Sequence, residues 1–197
     1  MNAEIKAKIK EHALKENPNE ACGFVSVNYL GEVTVLPCEN LAHNKKGRFS
    51  ISPQKNLEAE KAGHIVAFYH SHAGEFLDEA SNKFSREDLE TAYEACLPAI
   101  LYVHPHDAWH YHRPATYKPA DLLGRPFVWG VWDCYSLVKD YYKLIKGVVL
   151  GDHFPADDAS IHSNFGYETL HTKERFHEVP LEDIQKDDVI LLRLKSE

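Results

Sequence analysis

Residues His70, Ser71 and His72 close an apolar run that begins at His64. Residues two apart on a strand share a face, so both imidazoles can reach one ion. Catalytic zinc takes three protein ligands and keeps one position open. Asp88, in the first turn of a helix expected to begin at Ser85, can supply the third. Such an ion brings the pKa of a water from ~15.7 to about 7. Amide hydrolysis also needs a carboxylate that takes the water's proton and passes it to the leaving amine. Glu20, just ahead of the first apolar strand, is free for that work. Plainer readings fit the same residues. A His-x-His pair arises by chance in a chain with 13 His. Asp88 can simply face the positive end of its helix, and Glu20 can be surface charge after Asn-Pro-Asn. His104/His106 and His110/His112 repeat the spacing on what reads as an exposed hairpin, and are rival metal pairs.

A second chemistry is written at Cys134, inside GRPFVWGVWDCYSLVKDYY at 124–142. The start of an amphipathic helix lowers a thiol's pKa and favours thiolate. A cysteine nucleophile also needs a His that a third polar group orients. The alternative is a buried small residue, where many unpaired cysteines go.

The elements that position these residues can be read from patterning. Ile5, Ile9, Ala13 and Leu14 have helical spacing over 3–16, and Asn17-Pro18 stops that helix. Cys22–Val27, Glu32–Leu36 and Arg48–Ile51 read as strands, with turn residues at 28–31 and 44–47. Pro53 opens a helix that Gly63 closes, and His64–Tyr69 suits a buried strand. Residues 73–83 read as a loop. Ser85 and Asp88 form an S-x-x-D capping signal for a helix to about Cys96. Ala99–Val103 and Ala108–Arg113 form a hairpin around Pro105-His106-Asp107. Three Pro within 114–126 suggest a linker. Asp133–Lys146 reads as a helix closed by Gly147, and Asp188–Leu194 as a final strand. The expected fold class is α+β: a mixed sheet flanked by helices over 1–116, then a second α+β domain over 117–197.

Composition narrows the field. Lys+Arg number 22 against 30 Asp+Glu, a net charge of -8. That disfavours a broad phosphate-binding face, so no nucleic-acid partner is expected. No run approaches the ~18 apolar residues of a membrane span, so no transmembrane segment is expected. The first ten residues lack the apolar core of a secretory signal. Cys22, Cys38, Cys96 and Cys134 lack CxxC spacing and read as reduced thiols in a cytoplasm.

Residues 18–25 (PNEACGFV), 66–72 (VAFYHSH) and 85–103 (SREDLETAYEACLPAILYV) resemble the JAMM (JAB/MPN) metallopeptidases over roughly residues 3–113. The resemblance implies zinc bound by His70, His72 and Asp88, Glu20 as general base and acid, and Ser85 as an aid to the oxyanion. The family usually has ten residues between the second His and the Asp, whereas fifteen lie between His72 and Asp88. The extra residues fall within 75–83, where Asp78 and Ser81 are rival assignments.

The Asp133-Cys134 pair, its aromatic-rich helix and the late D-V-I-L-L run resemble NlpC-type papain-like cell-wall hydrolases, with Cys134 as the implied nucleophile. That family's catalytic His follows the late strand. Here His153, His162, His171 and His177 all precede it, so the second domain is expected to be catalytically incomplete at its C-terminus.

The order of the two domains is similar to tail assembly proteins of lambda-like phages. It implies phage tail-tip proteins as partners and a peptide or peptidoglycan peptide as substrate. It also implies a place in the host cytoplasm during assembly, or at the virion tail tip. The expected function is a zinc-dependent peptidase or isopeptidase acting in tail-tip assembly or on the cell wall at infection. The competing function is a non-enzymatic tail-tip component with vestigial peptidase sites.

Overall fold

The computed structural model describes residues 3–73, 81–104, 106–152 and 172–190. Helix α1, Ala3–Glu16, buries Ile5, Ile9 and Ala13 along one stripe, the i, i+4, i+8 face of a surface helix. Strand β1 (Cys22–Val27) is buried throughout. It pairs antiparallel with β2 (Val33–Cys38) on one side and with β3 (His64–His72) on the other. Helix α2, Pro53–Ala62, starts with Pro inside its first turn and Ser52 as its cap, and ends at Gly63, as its sequence signals require. Helix α3, Arg86–Ala95, crosses over from β3 to the parallel strand β4 (Ala99–Val103). Strand β5 (Ala108–His112) completes the expected hairpin. The five-stranded sheet runs β2-β1-β3-β4-β5, and this mixed sheet flanked by helices is the α+β architecture read from the sequence.

Two apolar clusters line the two faces of the sheet. Ile5, Ile9, Val25, Ala67, Tyr69 and Ile100 pack on the α1 side. Cys22, Phe24, Ala59, Phe68 and Ala92 pack on the side of α2 and α3. A bulge between Val25 and Ser26 shifts the β1–β3 register. The end of β3 thereby brings Phe68 and His70 to the α2/α3 side.

Four segments depart from the sequence reading. Arg48–Ile51 is not a strand: two of its backbone polar groups are taken by one side chain, and the Ser50 carbonyl accepts from the Leu41 amide. Asn40 donates to the Arg48 carbonyl and accepts from the Ser50 amide. The proline-rich stretch after 113 leads into Val128 and Trp132, which are buried in the α1-side cluster. The last helix, α4, covers Cys134–Tyr141 and then widens into a π-helical turn, Tyr142–Lys146, capped by left-handed Gly147. Of the expected strand Asp188–Leu194, residues 188–190 belong to no strand and the rest lies outside the described residues.

Near α4 a charged group is held out of water. Asp140 is 2% exposed at its side chain and accepts a hydrogen bond from Arg125 at 2.6 Å, with Arg113 at 3.5 Å. Lys139 pairs with Asp152 beside it. No described helix is long and apolar enough to cross a membrane.

Candidate metal centre

His70 and His72 stand two apart at the carboxyl end of β3, and α3 begins beside them. Asp88 is the third residue of α3, and its carboxylate lies 3.3 Å from His70 Nε2 and 3.5 Å from His72 Nε2. One ligand-type atom from each of the three residues falls within 4.8 Å of the others, a spacing that one ion can bridge. Among the described residues no other group of three His, Cys, Asp or Glu meets that description. His104/His106 and His110/His112 therefore gather no third ligand there. The His110 and His112 rings instead flank Phe84, with centroids 6.5 and 6.1 Å from it.

The residues present fit a metal ion. His70 is fully buried, yet neither ring nitrogen makes a hydrogen bond of acceptable alignment. Such an orphaned buried imidazole is costly unless something else takes its lone pair. Burial pushes the His70 pKa down, which favours the neutral, ligating form. His72 Nδ1 lies 2.7 Å from the Ser81 carbonyl. That contact fixes the tautomer and leaves Nε2 for a metal, as carbonyls behind metal-binding histidines do. Ser81, one of the rival ligands, thus contributes its backbone behind His72. Asp78 lies outside the described residues. Phe49 stacks on His70 at 4.7 Å between centroids and holds its ring plane.

Asp88 takes part in a reciprocal cap. Its Oδ2 accepts from the Ser85 amide at 2.7 Å, while Ser85 Oγ accepts from the Asp88 amide at 3.1 Å. This reciprocal capping box sets the carboxylate at the helix start, facing the two imidazoles. The capped carboxylate also lies within reach of both imidazoles, so the capping reading does not exclude the ligand reading. Burial would raise the Asp88 pKa, but the close approach of the His70 and His72 imidazoles and the hydrogen bond from Ser85 outweigh it and hold the carboxyl well below the usual range.

Glu20 is 5% exposed and lines a cleft of about 710 Å³ with His72, Ser85 and Asp88. Burial, opposed by His72 and reinforced by Asp88, raises its pKa to about 7. The fold thus brings Glu20, His70, His72, Ser85 and Asp88 together, and Cys134 apart from them. Cys134 is exposed at the start of α4, and its lead-in through Trp132 packs on the opposite, α1 side of the sheet.

Sequence reasoning missed three residues that shape this place. Ser71 accepts from the Ala21 amide through Oγ at 2.9 Å and so ties the residue after Glu20 to the His70–His72 strand. Phe49 and Asn40 lie on the segment that walls the cleft. Ser71 carries a local signal, being the middle of the His-Ser-His triplet. Phe49 and Asn40 carry none, because only the folded sheet brings residues 40–50 to β3.

Residues 2–113 match the family described as prokaryotic homologs of the JAB domain. The chain belongs to that family. Two relatives share 32% identity with this JAB-family chain. Tail tip assembly protein K of Escherichia phage N15 aligns over 160 residues, 80% of this chain and 63% of that protein. Tail tip assembly protein K of Escherichia phage lambda aligns over 143 residues, 72% of this chain and 65% of that protein. The JAB-family chain therefore spans just under two thirds of the relatives it matches. A solution structure of a Desulfitobacterium hafniense protein covers 64% of this chain and 97% of its own at 20% identity, with a TM-score of 0.43. The five gathered residues all fall inside the JAB-matched range, and Cys134 falls beyond it.

Proposed function

We propose that this JAB-family chain is a zinc-dependent peptidase or isopeptidase. It cuts an amide bond during phage tail-tip assembly or in the cell wall at infection. The observation that carries the reading is Glu20, a buried carboxyl of raised pKa that lines one cleft with His72 and Asp88. An ion that only stiffens a fold needs no such neighbour. The similarity to two proteins named for tail tip assembly supports the setting.

His70, His72 and Asp88 would hold the ion. When bound, zinc supplies Lewis acidity toward a water and an amide carbonyl. The chain's own residues do the rest. Glu20 takes a proton on its carboxylate and returns it to the departing amine. A carboxyl that titrates near neutrality suits both transfers. Ser85 uses its oxygen as acceptor in the capping box, so its hydroxyl proton is left to meet the oxyanion. Cys134 is proposed as the thiol of an NlpC-type domain over 117–197. Asp133 caps its helix by accepting from the Ser136 amide at 2.8 Å.

The test is incubation of the zinc-loaded chain with purified tail-tip proteins and with peptidoglycan peptides, followed by mass spectrometry. Cleavage should be lost in Glu20→Gln with about one zinc per chain retained, and zinc itself lost in His72→Ala. Stable zinc, stable association with tail-tip proteins and no cleavage in any sample would establish the non-enzymatic role instead. Cys134 should be alkylated by iodoacetamide, with peptide cleavage unaffected by the modification. Cleavage that depends on Cys134 would reverse the ranking of the two sites.

A further inference from the structure

Glu20 precedes β1, so no strand ladder holds its backbone. Its amide donates to the Lys45 carbonyl at 2.7 Å, and its carbonyl accepts from Asn40 Nδ2 at 3.0 Å. Both backbone polar groups of Glu20 are thus held by the 40–50 segment. That segment is in turn organised by Asn40, which is 5% exposed. Its Nδ2 also donates to the Arg48 carbonyl at 2.9 Å, and its Oδ1 accepts from the amides of Ala42 and Ser50 at 3.0 and 3.1 Å. An Asn side chain has two donors and two acceptor lone pairs, and here all four are used. The same segment carries Phe49 against His70. One buried amide therefore sets the height of both the Glu20 backbone and the ring that covers a ligand.

We propose that Asn40 is a positioning residue for Glu20. It clasps the backbone of the catalytic carboxylate to the cleft wall and itself hydrogen-bonds to none of the three ligand side chains. The inference rests on the reading of Glu20 as the proton carrier. A matched comparison exists at the other end of β1. There Asn28 Oδ1 accepts from the Leu30 and Glu32 amides, and Nδ2 donates to the Glu32 carboxylate. It is a turn-forming Asn remote from the cleft.

The experiment loads wild type, Asn40→Ala, Asn28→Ala and Glu20→Gln with cobalt(II) and records visible absorption and metal content of the folded proteins. Asn40→Asp keeps the acceptor contacts to Ala42 and Ser50 and loses the donors to Glu20 and Arg48; it is read in place of the Ala variant should that fail to fold. About one cobalt per chain is expected throughout. The absorption band should shift in Asn40→Ala in the same direction as in Glu20→Gln, and stay at the wild-type position in Asn28→Ala. On a peptide that wild type cleaves, kcat should fall about tenfold or more with KM unchanged, and by no more than the ~10²–10⁴ that a general base contributes. A wild-type band in Asn40→Ala beside a shifted band in Glu20→Gln overturns the proposal, leaving Asn40 a loop-forming residue. An unshifted band in Glu20→Gln removes Glu20 from the metal's surroundings, and the reading beneath the proposal fails first.

Discussion

At the scale of single residues, Glu20 is held in a place that disfavours its charge. Its carboxyl binds a proton more tightly in the folded protein, at about 7, than in the unfolded chain, near 4.5. Below the lower value both states are protonated and folding loses nothing. Between the two values the unfolded chain has released its proton while the folded state keeps it, so stability falls by on the order of 3 kcal/mol and levels off above the higher value. In metal-free protein, Glu20→Gln should therefore match wild type below pH 4 and exceed it in stability above pH 8. Denaturant titration at both pH values checks this, and equal stability at pH 8 would contradict it. Zinc should shrink the difference, since a nearby dication favours the carboxylate. The acidic and imidazole side chains of this centre were legible because strand alternation and a helix start are local patterns. Asn40 was illegible because its four partners come from residues 20, 42, 48 and 50, and no spacing rule links it to residue 20.

At the scale of elements, Ser85 joins helix formation to ligand placement. Replacing it by Ala removes one half of the capping box, which costs about 1 kcal/mol of stability. The same change loosens Asp88, so zinc affinity should fall about tenfold, the size typical of groups that support a ligand. Thermal unfolding of the metal-free variant and competition with a zinc-responsive dye measure the two effects. Loss of stability with unchanged affinity would separate the cap from the metal. Helices with proline, serine and glycine punctuation and strands with apolar runs were readable, and α1, α2, α3 and β1 fall where their patterns end. Arg48–Ile51 misled because a strand-like composition says nothing of which partner takes the backbone bonds, and here two of them go to the Asn40 side chain.

At the scale of the whole molecule, the chain beyond residue 113 is not detached from the first sheet. Trp132 is 7% exposed and shares a cluster with Ile5 and Ile9. Trp132→Ala should lower the stability of the full chain by about 3–5 kcal/mol, as deletion of a buried indole does. A change below about 0.5 kcal/mol, typical of surface positions, would mean that this stretch behaves as a free connector.

The crossover from β3 to α3 has a consequence for how this centre varies. Two of the ligand side chains end a strand locked between two neighbours, and the third starts a helix that packs on the sheet. Their separation in space is a property of the framework and not of the number of residues between His72 and Asp88. Lengthening that connection from ten to fifteen residues adds only about 0.4 kcal/mol of closure entropy. Removing five of residues 74–80 should accordingly leave zinc affinity within about twofold, measured by the same dye competition; lost affinity would place a ligand in the excised stretch. An insertion between His72 and Asp88 thus carries little thermodynamic cost. Chains of this family can diverge there while His70, His72 and Asp88 keep their mutual distances.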